Sequence, residues 1–447
     1  MIVKEFAAKR RRVEQLLDGD HTYPVGDLSG VAAKILEKRA AILDAAARHR
    51  TPLYLFDGRG FAEALAAFSR AFDEHVRGHR PFYAVKSNHH PHVVEGAVRA
   101  GYGLDVSSGR ELRQALQHDG CSILFSGPAK TEEDLELAVA HADRTLVHLD
   151  SFRELERLGR VTSRLGRPIR AGVRVSTAHH GAWSKFGIPL GELARCFREA
   201  QQHPLVDLQG IQLHLSWNRD ASPYRRIIED LGRCLAHDLT AEQRARLRFI
   251  DVGGGYRPHR LEGYYPTDHP LGQVISAADA HFGEDTEFVH PYYIKDSIPV
   301  DEYAREIGAA IDDHLRPIVD CVYYTEPGRI VSTYAMHIAL TVVDKKRDDL
   351  VIVDGGINMV GWEKYLQIYC PVVNVTRPAD REIPVRIGGS LCDCEDVWGL
   401  RCYAEAIEEG DVLVVPFQGA YTFSVAQEFI RPIPAVCRLD EPDDGPR

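Results

Sequence analysis

The chain has 447 residues, more than one compact domain usually holds, and its 44% apolar fraction is ample for a sizeable core. A net charge of −11 provides no basic face for a phosphate backbone and argues against nucleic acid as the main partner. No apolar run reaches the roughly 18 residues of a membrane span, no apolar signal region follows Met1, and the cysteines form no spaced framework, so a cytoplasmic protein with reduced thiols is expected. The basic cluster "AKRRRVEQ" at 8–15 reads as a solvated helix face.

From residue 52 the text alternates. "PLYLFD" predicts a strand, and "GFAEALAAFSRAFDEHV" a helix with Phe61, Leu65, Phe68 and Phe72 on one face. "PFYAVKS" predicts the next strand, and the rhythm continues through "GLDVSS", "SILFSG", "TLVHLD", "IRAGVRVS", "LQGIQLHLS", "RFIDVGGG" and "CVYYTEPG". Strands separated by helices of this length imply parallel βα units, and from "PFYAVKS" onward their number is the one that closes a barrel. The 257–298 stretch, rich in Tyr, His, Gly and Pro, is long for a βα loop and is either functional or an irregular cap. After residue 329 helices nearly vanish, and "MHIALTVVDKK", "DLVIVDGG", "EIPVRIGG", "DVLVVPF" and "AVCRLD" read as strands joined by turns. The expected fold is α/β, a (β/α)8 TIM-type barrel over 52–327 with a mostly antiparallel β domain from 1–51 and 328–447.

In a parallel barrel the chemistry sits at the C-terminal strand ends. Lys86, Asp105, Arg174, His214, the glycines Gly253, Gly254 and Gly255, and "EPGR" with Glu326 and Arg329 all fall towards the C-terminal ends of predicted strands, each after an apolar run. A strand-end Asp also caps helices, an Arg also pairs on surfaces, and a His also satisfies core hydrogen bonds. Their recurrence on one rim argues for one site. Consecutive glycines let backbone N–H groups converge on a phosphate, while Arg329 supplies a fork and Tyr421 in "GAYT" a hydroxyl. Lys86 among apolar neighbours is expected to have a pKa lowered by burial, as attack on an aldehyde requires. Glu326 facing a ring nitrogen would keep it protonated, and His214 would lie on a ring face. Phosphate, aldehyde, ring nitrogen and ring face together describe pyridoxal 5′-phosphate.

These motifs, in order, resemble the pyridoxal-phosphate decarboxylases that include ornithine, diaminopimelate and biosynthetic arginine decarboxylases, on the alanine-racemase-like fold. The resemblance spans about 50–430. It implies Lys86 of "YAVKSN" as the Schiff-base lysine, Asp105 and Glu111 of "GLDVSSGRE" as supports of the cofactor site, and Arg174 with Lys-Phe-Gly at 185–187 as a further site segment. It implies His214 as the ring-stacking histidine, "DVGGGY" as the phosphate loop, Glu326 as the partner of the pyridinium, and Arg329 and Tyr421 as phosphate ligands. It further implies an obligate homodimer with shared active sites, in which Cys392 of "LCDCED" protonates the α-carbon and Asp393 contacts substrate. No metal is expected.

Two departures bear on substrate. Diaminopimelate decarboxylases carry an arginine after "DGG", where this chain reads "INMVGWEKYLQIY", with Trp362 about there and Tyr365 just beyond as substrate-contact candidates. Asp393 follows the cysteine as in ornithine-type enzymes, which suits a distal ammonium; the alternative is that it merely caps the turn. "HLSW" also departs from the family's His-x-Gly-Ser, placing Ser216 and Trp217 there. The expected activity is decarboxylation of a diamino acid such as ornithine, lysine or diaminopimelate, or of an amino-acid conjugate from a siderophore or antibiotic pathway. The alternatives are an amino-acid racemase, against which Glu326 argues, and an inactive regulator of the antizyme-inhibitor kind, against which the intact Lys86 and Cys392 argue.

Overall fold

A computed structural model describes residues 6–19, 24–180, 185–284, 286–361 and 368–440. Trp362 and Tyr365 lie outside the described residues. The strands His79–Ala84, Gly103–Val106, Ile123–Phe125, Thr145–Leu149, Ile169–Ser176, Val206–Gln212, Phe249–Asp251 and Val322–Thr325 pair side by side, all parallel. The last pairs back with the first, Tyr323 opposite His79, so the sheet closes as a barrel of eight.

Helices cover the outside because their apolar residues recur at helical spacing. Gly58–His75 buries Phe61, Leu65, Phe68 and Phe72, and its first turn is fixed by the Asp57 carboxylate accepting the Gly60 N–H at 2.9 Å. Ser108, Thr131 and Ser151 cap three later helices in the same way. Each cap fixes where a strand-end loop stops, and so where the residues at the rim stand.

The second sheet is of mixed direction and mostly antiparallel. Met336–Arg347, Leu350–Val353, Glu382–Gly388, Val397–Tyr403, Val373–Asn374 and Val412–Val415 form a closed ring, extended by Leu53–Phe56 and Val436–Arg438. Leu53–Phe56 corrects the boundary expected from sequence. It pairs antiparallel with Met336–Ala339 and parallel with Val436–Arg438, and contributes nothing to the barrel. The βα rhythm around it is locally the same as in the barrel, but its pairing partners lie far along the chain. The helices Ser29–Leu36 and Arg39–His49 bury Ala32, Ile35, Ile42 and Ala45 against this sheet through Leu53, Leu55, Ala339 and Val414.

The 257–298 segment is ordered by its own small sheet. Gly263–Tyr264 pairs antiparallel with both Tyr293–Ile294 and Ile368–Tyr369, and the helix Pro270–Phe282 lies between the first two. Tyr292 stacks on Tyr369 with ring centroids 3.8 Å apart. Among the described residues, no helix is long and apolar enough to cross a membrane.

Candidate active site at the barrel mouth

The strand His79–Ala84 ends in a 3-10 turn, Val85–Ser87, that carries Lys86 onto the barrel rim. The turn is held from two directions. Ala84 N–H donates to Pro327 O at 3.1 Å, and Tyr421 N–H donates to Ser87 O at 2.8 Å. Asn88 adds a bond from its side-chain amide to Gly419 O at 2.8 Å. The second sheet's "GAYT" loop is therefore clamped onto the lysine turn.

Lys86 Nζ lies 2.9 Å from Asp105 Oδ2, and the other carboxylate oxygen of Asp105 accepts from Ser126. Burial alone would push the lysine pKa down. Asp105 first, then Glu326, outweigh that and hold it above the usual lysine range. The expectation of a lowered pKa is thus corrected for the protein without cofactor. The apolar strand precedes the lysine, but the amine itself sits among anions.

Glu326 is buried at the opposite side of the mouth. One carboxylate oxygen takes the Gln212 amide, and the other lies 2.7 Å from His214 Nδ1. Burial would raise its pKa, but the His214 hydrogen bond and the charge of Lys86 hold it well below the usual carboxylate range. Beneath it, His148 and Asp251 bring ligand atoms within 4.8 Å of one another and of Glu326. Asp251 accepts the Gly253 N–H at 2.8 Å through Oδ1, while its Oδ2 and both His148 ring nitrogens have no hydrogen-bond partner. Burial, then the charge of Glu326, push the Asp251 pKa well up, and burial pushes His148 down to about 3.

The glycine turn forms a cradle that side chains would fill. Gly253 and Gly255 have φ of +72° and +97°. A Cβ on Gly254 would collide with Glu326 O, and one on Gly255 with Leu215 O, so backbone packs directly on backbone. Arg329 stands beside it, its guanidinium 4.9 Å from the Tyr421 ring and 4.8 Å from the Trp217 ring. Arg174 lies 4.3 Å over Phe186, and burial lowers its pKa.

One cavity of about 1350 Å³ joins these groups, lined by Lys86, Arg174, His214, Glu326, Arg329 and Tyr421 among others, with Gly255 at its wall. That exceeds the few hundred to about 1000 Å³ usual for a small-molecule pocket, leaving room for a cofactor and a substrate together. Asp105 is fully buried behind Lys86, and Gly253 and Gly254 form the turn leading to Gly255. Cys392 and Asp393 do not line the cavity. Cys392 is exposed, and Asp393 accepts the Glu395 N–H at 2.9 Å, capping its own turn. Four residues passed over in the sequence also stand at the site: His148, Gln212, Asp251 and Ser126. The signal was present as polar residues set within the apolar strands of "SILFSG", "TLVHLD", "GIQLHL" and "FIDV".

A parallel barrel whose mouth joins a lysine, a buried glutamate and a glycine cradle fits pyridoxal phosphate: amine, anion and glycine turn open on one cavity. The fold and site define a pyridoxal-phosphate enzyme. The chain belongs to the pyridoxal-dependent decarboxylases, whose pyridoxal-binding domain is matched by residues 61–333. It is 26% identical over 400 residues to diaminopimelate decarboxylase of Aquifex aeolicus, covering 85% of this chain and 84% of that one. It is 30% identical over 469 residues to the uncharacterized protein y4yA of Sinorhizobium fredii, covering 94% of each. In structure it resembles diaminopimelate decarboxylase of M. jannaschii in complex with L-lysine, with a TM-score of 0.71 at 21% identity over 89% of this chain and 88% of that one. The protein is a pyridoxal-phosphate-dependent amino-acid decarboxylase.

Proposed function

We propose that the substrate is an α-amino acid with a second amino group, or a larger molecule ending in such a group, converted to carbon dioxide and an amine. The observation that carries this reading is the convergence of Lys86, the anionic Glu326 and the glycine cradle on one roomy cavity. The recurrence of diaminopimelate decarboxylases among the relatives supports a diamino acid.

Bound pyridoxal phosphate supplies an aldehyde for the substrate amine and a ring that takes up the electron pair left as carbon dioxide departs. Lys86 is the residue to hold the aldehyde carbon between turnovers, with Asp105 keeping its amine in place. Glu326 is the residue to hold a proton on the ring nitrogen, since a buried anion there favours the charged ring. His214 is placed to lie against the ring, while Gly253, Gly254, Gly255, Arg329 and Tyr421 take the phosphate. Arg174 adds positive charge to the mouth. A homodimer completes the site in this reading: Cys392 of the partner subunit protonates the α-carbon, and Asp393 of the partner subunit faces the substrate's distal ammonium. The exposure of Cys392 and Cys394, away from their own chain's cavity, supports that arrangement.

The test is carbon dioxide release across D- and L-diamino acids and their conjugates, with Lys86→Ala as the control. The variant should lose both turnover and the visible absorbance of the lysine-bound aldehyde. Persistence of that absorbance without added amine would refute the lysine assignment. Loss of optical rotation without carbon dioxide would replace decarboxylation with racemisation.

A further inference from the structure

The 257–298 segment brings two cations to the cavity wall, Arg257 at 4% exposure and Lys295 at 9%. Their positions are set by local structure. The Lys295 N–H donates to Glu262 O at 3.0 Å, continuing the pairing of Gly263–Tyr264 with Tyr293–Ile294. Arg257 follows the glycine cradle, and its carbonyl accepts from Ser297 Oγ at 3.4 Å.

The two cations differ in how they are paired. Arg257 has one carboxylate, Glu262 Oε1 at 3.2 Å, and its guanidinium lies 4.9 Å from the Trp217 ring. Arg329 lies against the same ring, so two guanidinium groups crowd one indole. Among the described residues Lys295 makes no ion pair. The cavity lining holds six cationic side chains, Lys86, Arg174, Lys185, Arg257, Lys295 and Arg329, and one carboxylate, Glu326.

Burying unpaired charge is costly, so such an excess persists where an anion arrives. The cofactor phosphate brings about two negative charges, which the glycine cradle, Arg329 and Tyr421 can accommodate. Lys295 remains without an ion pair, beside an Arg257 that shares a single carboxylate, Glu262. Burial, then the charge of Arg257, push Lys295 down to about 8, the behaviour of an amine that lacks its counter-ion.

We propose that Arg257 and Lys295 form a subsite for an acidic group, a carboxylate, at the distal end of the substrate. The proposal rests on the decarboxylase reading for the word substrate, but the anion subsite itself does not. The cofactor's own phosphate is the other anion that would satisfy the same two cations, and the test separates them.

The enzyme loaded with pyridoxal phosphate is titrated calorimetrically with pimelate, which has two carboxylates and no amine. The wild type should bind it. Lys295→Gln should weaken that binding at least about tenfold, the loss of one charge-assisted hydrogen bond, and Lys295→Arg should restore it. In turnover, diaminopimelate and lysine differ by one distal carboxylate, so Lys295→Gln should raise the ratio of their KM values by a similar factor. Unchanged pimelate binding in Lys295→Gln overturns the subsite. Weakened binding of pyridoxal phosphate with unchanged pimelate binding overturns it too and assigns the cations to the cofactor. Pimelate binding that depends on Lys295, with no carbon dioxide from any amino acid, upholds the subsite and removes the proposed diamino-acid substrate instead.

Discussion

Gly255→Ala tests whether the cradle binds phosphate, and its magnitude follows from the backbone. At φ +97° the added Cβ would stand 2.7 Å from the Leu215 carbonyl carbon and 2.9 Å from Asn218 Nδ2, with Leu215 O closer still. Carbon contacts normally lie at about 3.5–4.0 Å, so the turn must open by about 1 Å. The left-handed backbone costs about 1–3 kcal/mol for a non-glycine residue, and overpacking about 1–3 kcal/mol more. Gly410 separates the two contributions, because its φ is +86° with nothing within 4 Å of an added Cβ. Gly410→Ala should carry the backbone cost alone. If the cradle's N–H groups grip phosphate, opening it loses at least one charge-assisted bond, about 1.5–3 kcal/mol. Affinity for pyridoxal phosphate should then fall roughly ten- to a hundredfold in Gly255→Ala and stay near wild type in Gly410→Ala. The assay is titration of each apoenzyme by the visible absorbance of the lysine adduct, beside thermal melts. A Gly255→Ala protein that melts lower yet binds the cofactor as wild type does would refute the cradle.

His148 should make the protein acid-sensitive. Its folded pKa of about 3 lies below the usual 6.5, so the unfolded chain binds the extra proton and stability falls as pH drops through that window. The loss should reach about 2 kcal/mol by pH 5, at about 1.36 kcal/mol per unit below 6.5. Denaturant midpoints for wild type and His148→Asn should therefore converge towards pH 5, and parallel curves would refute the assignment. For the proposed shared sites, Lys86→Ala and Cys392→Ser should each be nearly inactive, and mixing them after subunit exchange should restore roughly a quarter of wild-type activity. No recovery in a mixture shown to contain heterodimers would mean that each site is built from one chain.

The parallel barrel was legible because apolar strands and amphipathic helices alternate with a constant rhythm. The rim was legible because polar residues recur at the C-terminal ends of those strands. What stayed hidden depended on pairing between distant residues. Leu53–Phe56 reads locally as the first strand of the barrel, and only Met336–Ala339 and Val436–Arg438 show where it belongs. The charge state of Lys86 escaped for the same reason. Its neighbours in sequence are apolar, whereas Asp105 and Glu326 reach it from other strands. The 257–298 segment carries no periodic signal, so nothing in its text marks Arg257 and Lys295 as residues of one wall. Trp362 and Tyr365 lie outside the described residues, and their expected substrate contacts stand as expectations.

If Glu326 faces the ring nitrogen as proposed, the strength of the electron sink depends on which buried carboxyl group keeps its proton. Asp251 and Glu326 stand close in a water-poor site, and two such groups do not both ionise readily. Their surroundings divide them. Glu326 receives the Gln212 amide, lies 2.7 Å from His214, and feels the charge of Lys86, so its anion is the better stabilised. Asp251 has one backbone N–H, is buried, and faces the Glu326 carboxylate, so it is the group that stays protonated. The proton on Asp251 spares Glu326 a neighbouring like charge and preserves the anion facing the mouth. An anion at the ring nitrogen strengthens the ring as an electron sink, which loss of carbon dioxide requires and which a racemase limits. On the proposed role of Glu326, Asp251, unremarked in the sequence, is the group that keeps the neighbouring charge on Glu326.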